Sequence, residues 1–321
     1  MTATEQKSLT ELLTDAPKNW GRWGPDDEVG ALNFLTKAEV LRGVQSVKQG
    51  KVFTLGTLVG GPSGDPVWPG RAGATKLMTQ DEGHYLSGKL KPVPGGLEYA
   101  DDYVTMFLQG TTQFDALGHT WYDGQLWNGY DAKTTMGGMG KASVLPIAER
   151  GVVGSAILLD MARYRGKDSL EGGETFGWED LQDCAQTQGI QIEKHDILLI
   201  RTGWLKVFYD KGRDAFYQTP FNEPGLTYSK ELVQWFHEME IPVLATDTIA
   251  NETTIEPETG VVLPLHAALM RNLGVALNEI LWLEPLAEDC AEDRQYRFLY
   301  AGAPLKVYRG TGAPVNPVVI K

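Results

Sequence analysis

Apolar and polar positions along the chain alternate between a period near 3.6 and a period of two, and each switch marks a change of element. Thr36 followed by Glu39 forms a capping box, predicting a helix that runs to about Gln49 and ends at Gly50. The run 51–59 (KVFTLGTLV), rich in β-branched residues and bounded by Gly-Gly-Pro, predicts a strand. Further strands are predicted at 103–114, 156–160 (AILLD), 196–201 (DILLIR), 243–246, 275–283 and 297–301. Helices are predicted over 178–188, closed by Gly189, from a Ser229 cap to near Glu240, and from near Pro264 to Gly274. Strands alternating with helices imply an α/β fold containing parallel pairing. No internal repeat or break in composition divides the chain, so residues 1–321 are expected to form one domain. Residues 1–35 read as an amino-terminal arm, and 60–100, rich in Gly and Pro, as long loops of the kind that serve as lids.

Composition narrows the function classes. The 321 residues are 42% apolar, sufficient for a large core without covalent staples. A net charge of −13 repels phosphate backbones and anionic lipid, so nucleic-acid and membrane partners are not expected. Cys184 and Cys290 are isolated thiols rather than a disulfide framework, in keeping with a reducing compartment. The first residues lack the basic-then-apolar order of a signal peptide, and the longest purely apolar runs are too short to span a bilayer. A cytoplasmic protein acting on a small molecule is the expectation.

Two segments carry candidate chemistry. In 106–119 (MFLQGTTQFDALGH), strand alternation would put Gln109, Thr111, Gln113 and Asp115 on one face and Met106, Leu108 and Phe114 on the other. A turn through Ala116, Leu117 and Gly118 would return His119 beside Asp115. Such a face either meets solvent or lines a pocket. Its two amides and one carboxylate, flanked by aromatics and glycines, favour the pocket over the Lys, Glu and Thr of an ordinary wet face. In 261–283, Pro264 suits a first helical turn, which places His266 at a helix start. The helix dipole there would lower its pKa and favour the neutral imidazole that a metal requires. Glu279 would share a strand face with Val275 and Leu277, where a carboxylate needs a partner, either an arginine or a cation. Two imidazoles and two carboxylates suit zinc or manganese with an open position for water.

Several other residues enter as candidates. Trp23, Phe34, Trp121 and Tyr122 are candidate walls of a substrate pocket, and His84 is a candidate that reaches the site from its loop. Arg22 or Arg201 would hold a substrate carboxylate or, as is commoner for arginine, form structural salt bridges. His195 and His237 read as a loop residue and a surface helical residue.

The spacing Gln109-x3-Gln113-x-Asp115-x3-His119 resembles the metal-binding signature of the cyclase family, which includes bacterial kynurenine formamidases and isatin hydrolase. Gln109 and Gln113 stand at its two leading histidine positions, a form similar to that of trans-dienelactone hydrolases. WGRWGPDDEVGALN, DILLIRTG and ATDT resemble further family segments, and His266 and Glu279 fall where the family has its later His and Glu. The resemblance implies a swivelling β/β/α fold with mixed sheets packed against helices. It also implies a homo-oligomer, dimer or tetramer, and a divalent metal held by a set drawn from Gln109, Gln113, Asp115, His119, His266 and Glu279. It implies hydrolysis of a lactone, ester or amide, with His119, His266 and Glu279 catalytic. Because an amide oxygen is a weaker ligand than imidazole, one ion rather than two is expected. An iron-dependent oxygenase, a metal-dependent cyclisation or dehydration, and a non-catalytic binding protein on the same fold are the alternatives.

Overall fold

A computed structural model describes residues 7–321. Its strands, in chain order, are β1 (Val52–Thr54), β2 (Thr75–Gln80), β3 (Asp101–Thr105), β4 (Gln113–Asp115), β5 (Val152–Asp160), β6 (Thr175–Phe176) and β7 (Ile197–Arg201). They continue with β8 (Gly225–Leu226), β9 (Val243–Thr246), β10 (Ala276–Glu279), β11 (Arg297–Gly302), β12 (Gly312–Pro314) and β13 (Val318–Ile320). Nine of them form one mixed sheet in the order β1-β13-β11-β5-β7-β9-β10-β4-β12. Its centre, β5-β7-β9-β10, is parallel, and antiparallel strands flank it on both sides.

The central strands are buried along nearly their whole length, which explains why 196–201 and 243–246 read as continuous apolar runs rather than alternating ones. The Thr36 capping box forms as predicted, and its helix, Lys37–Gln45, packs on β5 and β11. A Cβ on Gly43 would lie 2.9 Å from the Gly154 carbonyl oxygen, so this helix can sit so close to β5 only with glycine there. Gly189, at φ +77°, closes helix Trp178–Gln188, and Ser229 caps Lys230–Met239. The result is the mixed α/β arrangement, sheet packed against helices, that the resemblance implied.

Four expectations are corrected. The helix from Lys37 stops at Gln45, not Gln49. The first strand covers only Val52–Thr54, because Gly56 and Thr57 turn away to bond Asn316 and Thr112. Residues 7–35 are not a detached arm: Leu12, Leu13, Leu32 and Leu35 are buried in the main core, and Asn19 hydrogen-bonds the Asn272 and Leu273 carbonyls. Residues 1–6 of the expected arm lie outside the described residues. The long loop of 60–100 contains β2 and helix Glu82–Leu86, and β2 pairs antiparallel with β3 as a ribbon exposed on both faces.

The expected strand 103–114 is two strands. β3 belongs to the ribbon and β4 to the main sheet; between them Gly110 N–H closes a turn on the Phe107 carbonyl. Thr112 then donates to the Ile280 carbonyl at 2.5 Å, anchoring the approach to β4.

Among the described residues, no helix is long and apolar enough to cross a membrane.

Candidate functional site

The carboxyl ends of β9 and β10 meet the antiparallel β4, and this junction carries the chemistry. Gln113 pairs with Glu279 and Phe114 with Asn278. Paired strand residues project to the same face, so Gln113, Asp115 and Glu279 stand together. The alternation predicted for this segment therefore holds over 113–115. Asn278, on the other face, donates to the Gln113 carbonyl at 2.7 Å and accepts from the Tyr300 hydroxyl at 2.7 Å, which locks the register.

His266 opens a π-helix, His266–Leu273, and its imidazole points back at the same junction. Donor atoms of Asp115, His266 and Glu279 all lie within 4.8 Å of one another, and all three residues are buried. Two segments about 150 residues apart are thus brought to one point. His119 follows through the expected turn, its N–H bonding the Ala116 carbonyl at 2.8 Å, and sets Nε2 4.0 Å from Asp115 Oδ2. It is the most exposed of the four side chains, so it faces the approach from solvent.

Glu252 was not foreseen. Its carboxylate accepts from His266 Nδ1 at 2.7 Å, from His266 N at 2.7 Å and from Leu265 N at 2.8 Å. One side chain thus holds the helix start and the ring, leaving Nε2 toward Glu279 at 3.3 Å. Asn251 also belongs here, donating to Glu279 Oε1 at 3.2 Å while Gln113 Nε2 donates to Oε2 at 2.5 Å. The acid-containing loop 251–260 is buried at Asn251, Glu252 and Glu256. The available sequence signal for such a carboxylate was the flanking run of Ala, Asn and Thr, small uncharged side chains rather than the Lys and Glu of a solvated loop.

Electrostatics correct a further expectation. Burial opposes charge on His266, but its hydrogen bonds to Glu252 and Glu279 outweigh burial and push its pKa up to about 10, against the lowering that a helix start alone would give. Burial pushes Asp115 up to about 6, despite the nearby charge of His119. Burial lowers His119, keeping that imidazole neutral at pH 7. Burial also raises Glu252 and carries Glu223, which accepts twice from Ile249 N–H, well above the usual carboxylate range.

The donor set fits a divalent cation. Among the described residues, Gln113 Oε1, Asp115 Oδ1 and Asn251 Oδ1 are buried acceptors without a donor, gathered around a carboxylate that already has both amide groups. Reversing either amide would set oxygen against the Glu279 carboxylate, so these orphan oxygens are forced. Unpaired buried acceptors are costly, and a cation satisfies several at once. Imidazole Nε2, two carboxylates and amide oxygens form an N/O set of the zinc or manganese type, with the Nδ1–carboxylate contact usual behind a metal-bound histidine.

Other predicted residues lie elsewhere. Gln109 donates to Thr311 Oγ1 at 3.0 Å in the turn before β4, not on a strand face with Gln113. Phe34 stacks on His195 at 5.2 Å and Trp23 meets Phe34 edge-on at 5.0 Å, next to the amino end of β7 and so at the opposite end of the parallel strands from Asp115. Apolar packing with the core, rather than a pocket, occupies these two rings. Tyr122 is covered by the Arg271 guanidinium at 3.7 Å and donates to Asn272 Oδ1 at 3.2 Å, bracing the π-helix. Trp121, two residues after His119, is exposed. His84 contacts Asp81 at 2.8 Å on the exposed segment beside β2. Arg22 pairs with Glu240, and Arg201 with Asp160 and Glu284, so both are structural. His195 bridges Glu39 and Glu240.

A mixed sheet closing on a buried carboxylate–imidazole centre defines a class of metal-binding α/β proteins. The Cyclase family model matches residues 50–253, well over half of the chain. A crystal structure described as a novel cyclase is 35% identical, with a TM-score of 0.84, covering 95% of this chain and 99% of that one. The chain belongs to the cyclase family. Isatin hydrolase A from Ralstonia solanacearum has the same fold at 20% identity and a TM-score of 0.61, covering 88% of this chain and 94% of that one. So does an isatin hydrolase bound to the product analogue thioisatinate, at 17% identity and a TM-score of 0.59, with the same coverage. The comparison with curated proteins returned no match.

Proposed function

We propose that this protein is a metal-dependent hydrolase that opens a lactone, ester or amide bond of a small molecule. The observation that carries the reading is the set of orphan buried oxygens around Glu279 beside Asp115 and His266. That similar folds are described as isatin hydrolases supports it. Asp115, His266 Nε2 and Glu279 would hold one zinc or manganese ion, with Gln113 and Asn251 oxygens in reach. When bound, such an ion supplies Lewis acidity, polarising an acyl oxygen and making water acidic enough to attack near neutral pH.

The chain's own residues do the rest. His119, neutral at pH 7 and at the open side of the cluster, accepts the proton of the attacking water and returns it to the leaving alkoxide or amine. Glu252 holds the His266 ring at one angle. Asp115 and Glu279 balance charge, with Gln113 and Asn251 fixing the Glu279 rotamer.

The molecule working with this site is, on our reading, a homo-oligomer in the cytoplasm. The β2–β3 ribbon exposes Leu77, Met78, Tyr103 and Val104, and an isolated two-stranded ribbon is marginal in water without a cover. Turnover of lactone, ester and amide panels by zinc- or manganese-loaded protein, with oxygen excluded, tests the function. Hydrolysis is expected to proceed unchanged without oxygen and to be lost with the ion in Asp115→Ala. Full activity and full metal content in that variant would end this reading.

A further inference from the structure

An open recess of about 460 Å³ is lined by Trp68, Arg71, Arg213, Tyr217 and Phe221. Its aromatic walls are fixed by contact with one another: Trp68 meets Phe221 edge-on at 5.7 Å, and Tyr217 lies 5.6 Å from Phe221. The Tyr217 hydroxyl is held by Val67, donating to its carbonyl at 2.6 Å.

Two guanidiniums face this aromatic space. Arg213 lies over Tyr217 at 5.2 Å. Arg71 donates to the Gln109 carbonyl at 3.2 Å, and Gln109 in turn bonds Thr311, next to the Gly312 that pairs with Asp115, so Arg71 links the recess to the segment that carries Asp115. Among the described residues, neither arginine forms an ion pair with a carboxylate, as is also true of Arg150, Arg271, Arg294 and Arg309, whereas Arg22, Arg42, Arg163, Arg165, Arg201 and Arg297 do. Asp214 is the single acid on the recess wall, leaving the two guanidiniums in excess. In a chain of net charge −13, such a focus of unpaired positive charge is a feature to explain.

We infer that this recess binds the carboxylate of an aromatic or unsaturated ring substrate, with Arg71 as the specificity-determining residue that sets the ring's acyl carbon against the cluster. Planar walls take the ring face, and a guanidinium matches a carboxylate through paired N–H donors. This deepens the hydrolase reading and rests on it for the reaction, though not for the binding.

The test uses the metal-loaded enzyme and the variants Arg71→Gln and Arg71→Lys. The substrates are an aryl ester bearing a ring carboxylate and its neutral, methyl-capped counterpart. Arg71→Gln is expected to raise the ratio of KM for the charged ester to KM for the neutral ester roughly 10- to 100-fold, as loss of a charge-assisted hydrogen bond does. Arg71→Lys should recover part of the loss. Equal loss on both esters, or none on either, overturns the inference; equal loss would mean that Arg71 serves the fold, or a carboxylate formed only in the product. Calorimetry with benzoate and benzyl alcohol separates the two readings. Benzoate binding that weakens in Arg71→Gln, with neither ester turned over, keeps the recess and removes the hydrolase; turnover with Arg71-independent benzoate binding does the reverse.

Discussion

Cation uptake at this centre should be coupled to release of a proton, and the coupling can be sized. In the cation-free protein His266 holds its proton up to about pH 10, because Glu252 and Glu279 together outweigh its burial. A metal needs Nε2 unprotonated, so at pH 7 loading must remove a proton about three units below that pKa, at a cost of roughly 4 kcal/mol. Apparent affinity should therefore rise close to tenfold per pH unit between pH 6.5 and 8.5. It should steepen below about pH 6, where Asp115 also becomes protonated. The effect on folding has the opposite sign. The raised pKa of His266 stabilises the cation-free protein fully below its ordinary value of 6.5, and that contribution is lost as pH rises through about 10. Chelator competition measures the affinity, and calorimetry in buffers of different ionisation enthalpy counts the protons. Near one proton per ion is expected at pH 7, falling in Glu252→Gln, where the neighbouring charge is gone. A pH-independent affinity with no proton released would refute the assignment of His266 as a ligand held by two carboxylates.

Three further outcomes are expected. Arg201→Met leaves Asp160 with Arg163 as its one remaining guanidinium and Glu284 with none, and should lower stability by roughly 2–4 kcal/mol in urea unfolding while kcat/KM stays within twofold; a selective loss of activity would mean a substrate role. Leu77→Lys with Val104→Glu, both on the exposed ribbon, should reduce the mass seen by light scattering to that of one chain, since the apolar side chains from Leu77 to Phe107 offer on the order of 900 Å², about what one partner of a stable interface buries; an unchanged mass would remove the ribbon from the interface. Burial acts to raise the Glu39 carboxyl, but hydrogen bonds from Thr36 and His195 prevail and hold its pKa at about 2. Its contribution is thus present above pH 4.5 and lost as pH falls through about 2, so Glu39→Gln should cost roughly 2 kcal/mol at pH 7 and flatten the acid limb of the unfolding curve.

What the sequence made legible and what it hid divide along a physical line. Local chemistry was readable: Thr36 with Glu39, Ser229, and Gly189 at φ +77° each satisfy backbone groups within a few residues, so their pattern is independent of the rest of the fold. Asp115, His266 and Glu279 were readable for a related reason: Asp115 closes a polar strand face, His266 follows the Pro264 helix start, and Glu279 interrupts an apolar strand. The strand at 103–114 was misread because alternation continues across the Phe107–Gly110 turn, and periodicity alone carries no information about which sheet a residue joins. Residues 7–35 passed for an arm because their Gly, Trp and acidic content hides leucines that reach the core one at a time.

The deepest omissions, Asn251 and Glu252, share one cause. Each takes its role from a partner on another element: Glu279 of β10 for Asn251, and His266 of the π-helix for Glu252. Glu252 is the sharpest case. Its contact with His266 spans only fourteen residues, yet it depends on the return of the chain from β9 to the π-helix, which no local pattern announces. A histidine placed at a helix start was expected to be neutral on dipole grounds alone; two buried carboxylates reverse that sign. At a centre of this kind the field of tertiary neighbours outweighs the local dipole, so the protonation state of a ligand follows from which charges the fold gathers around it.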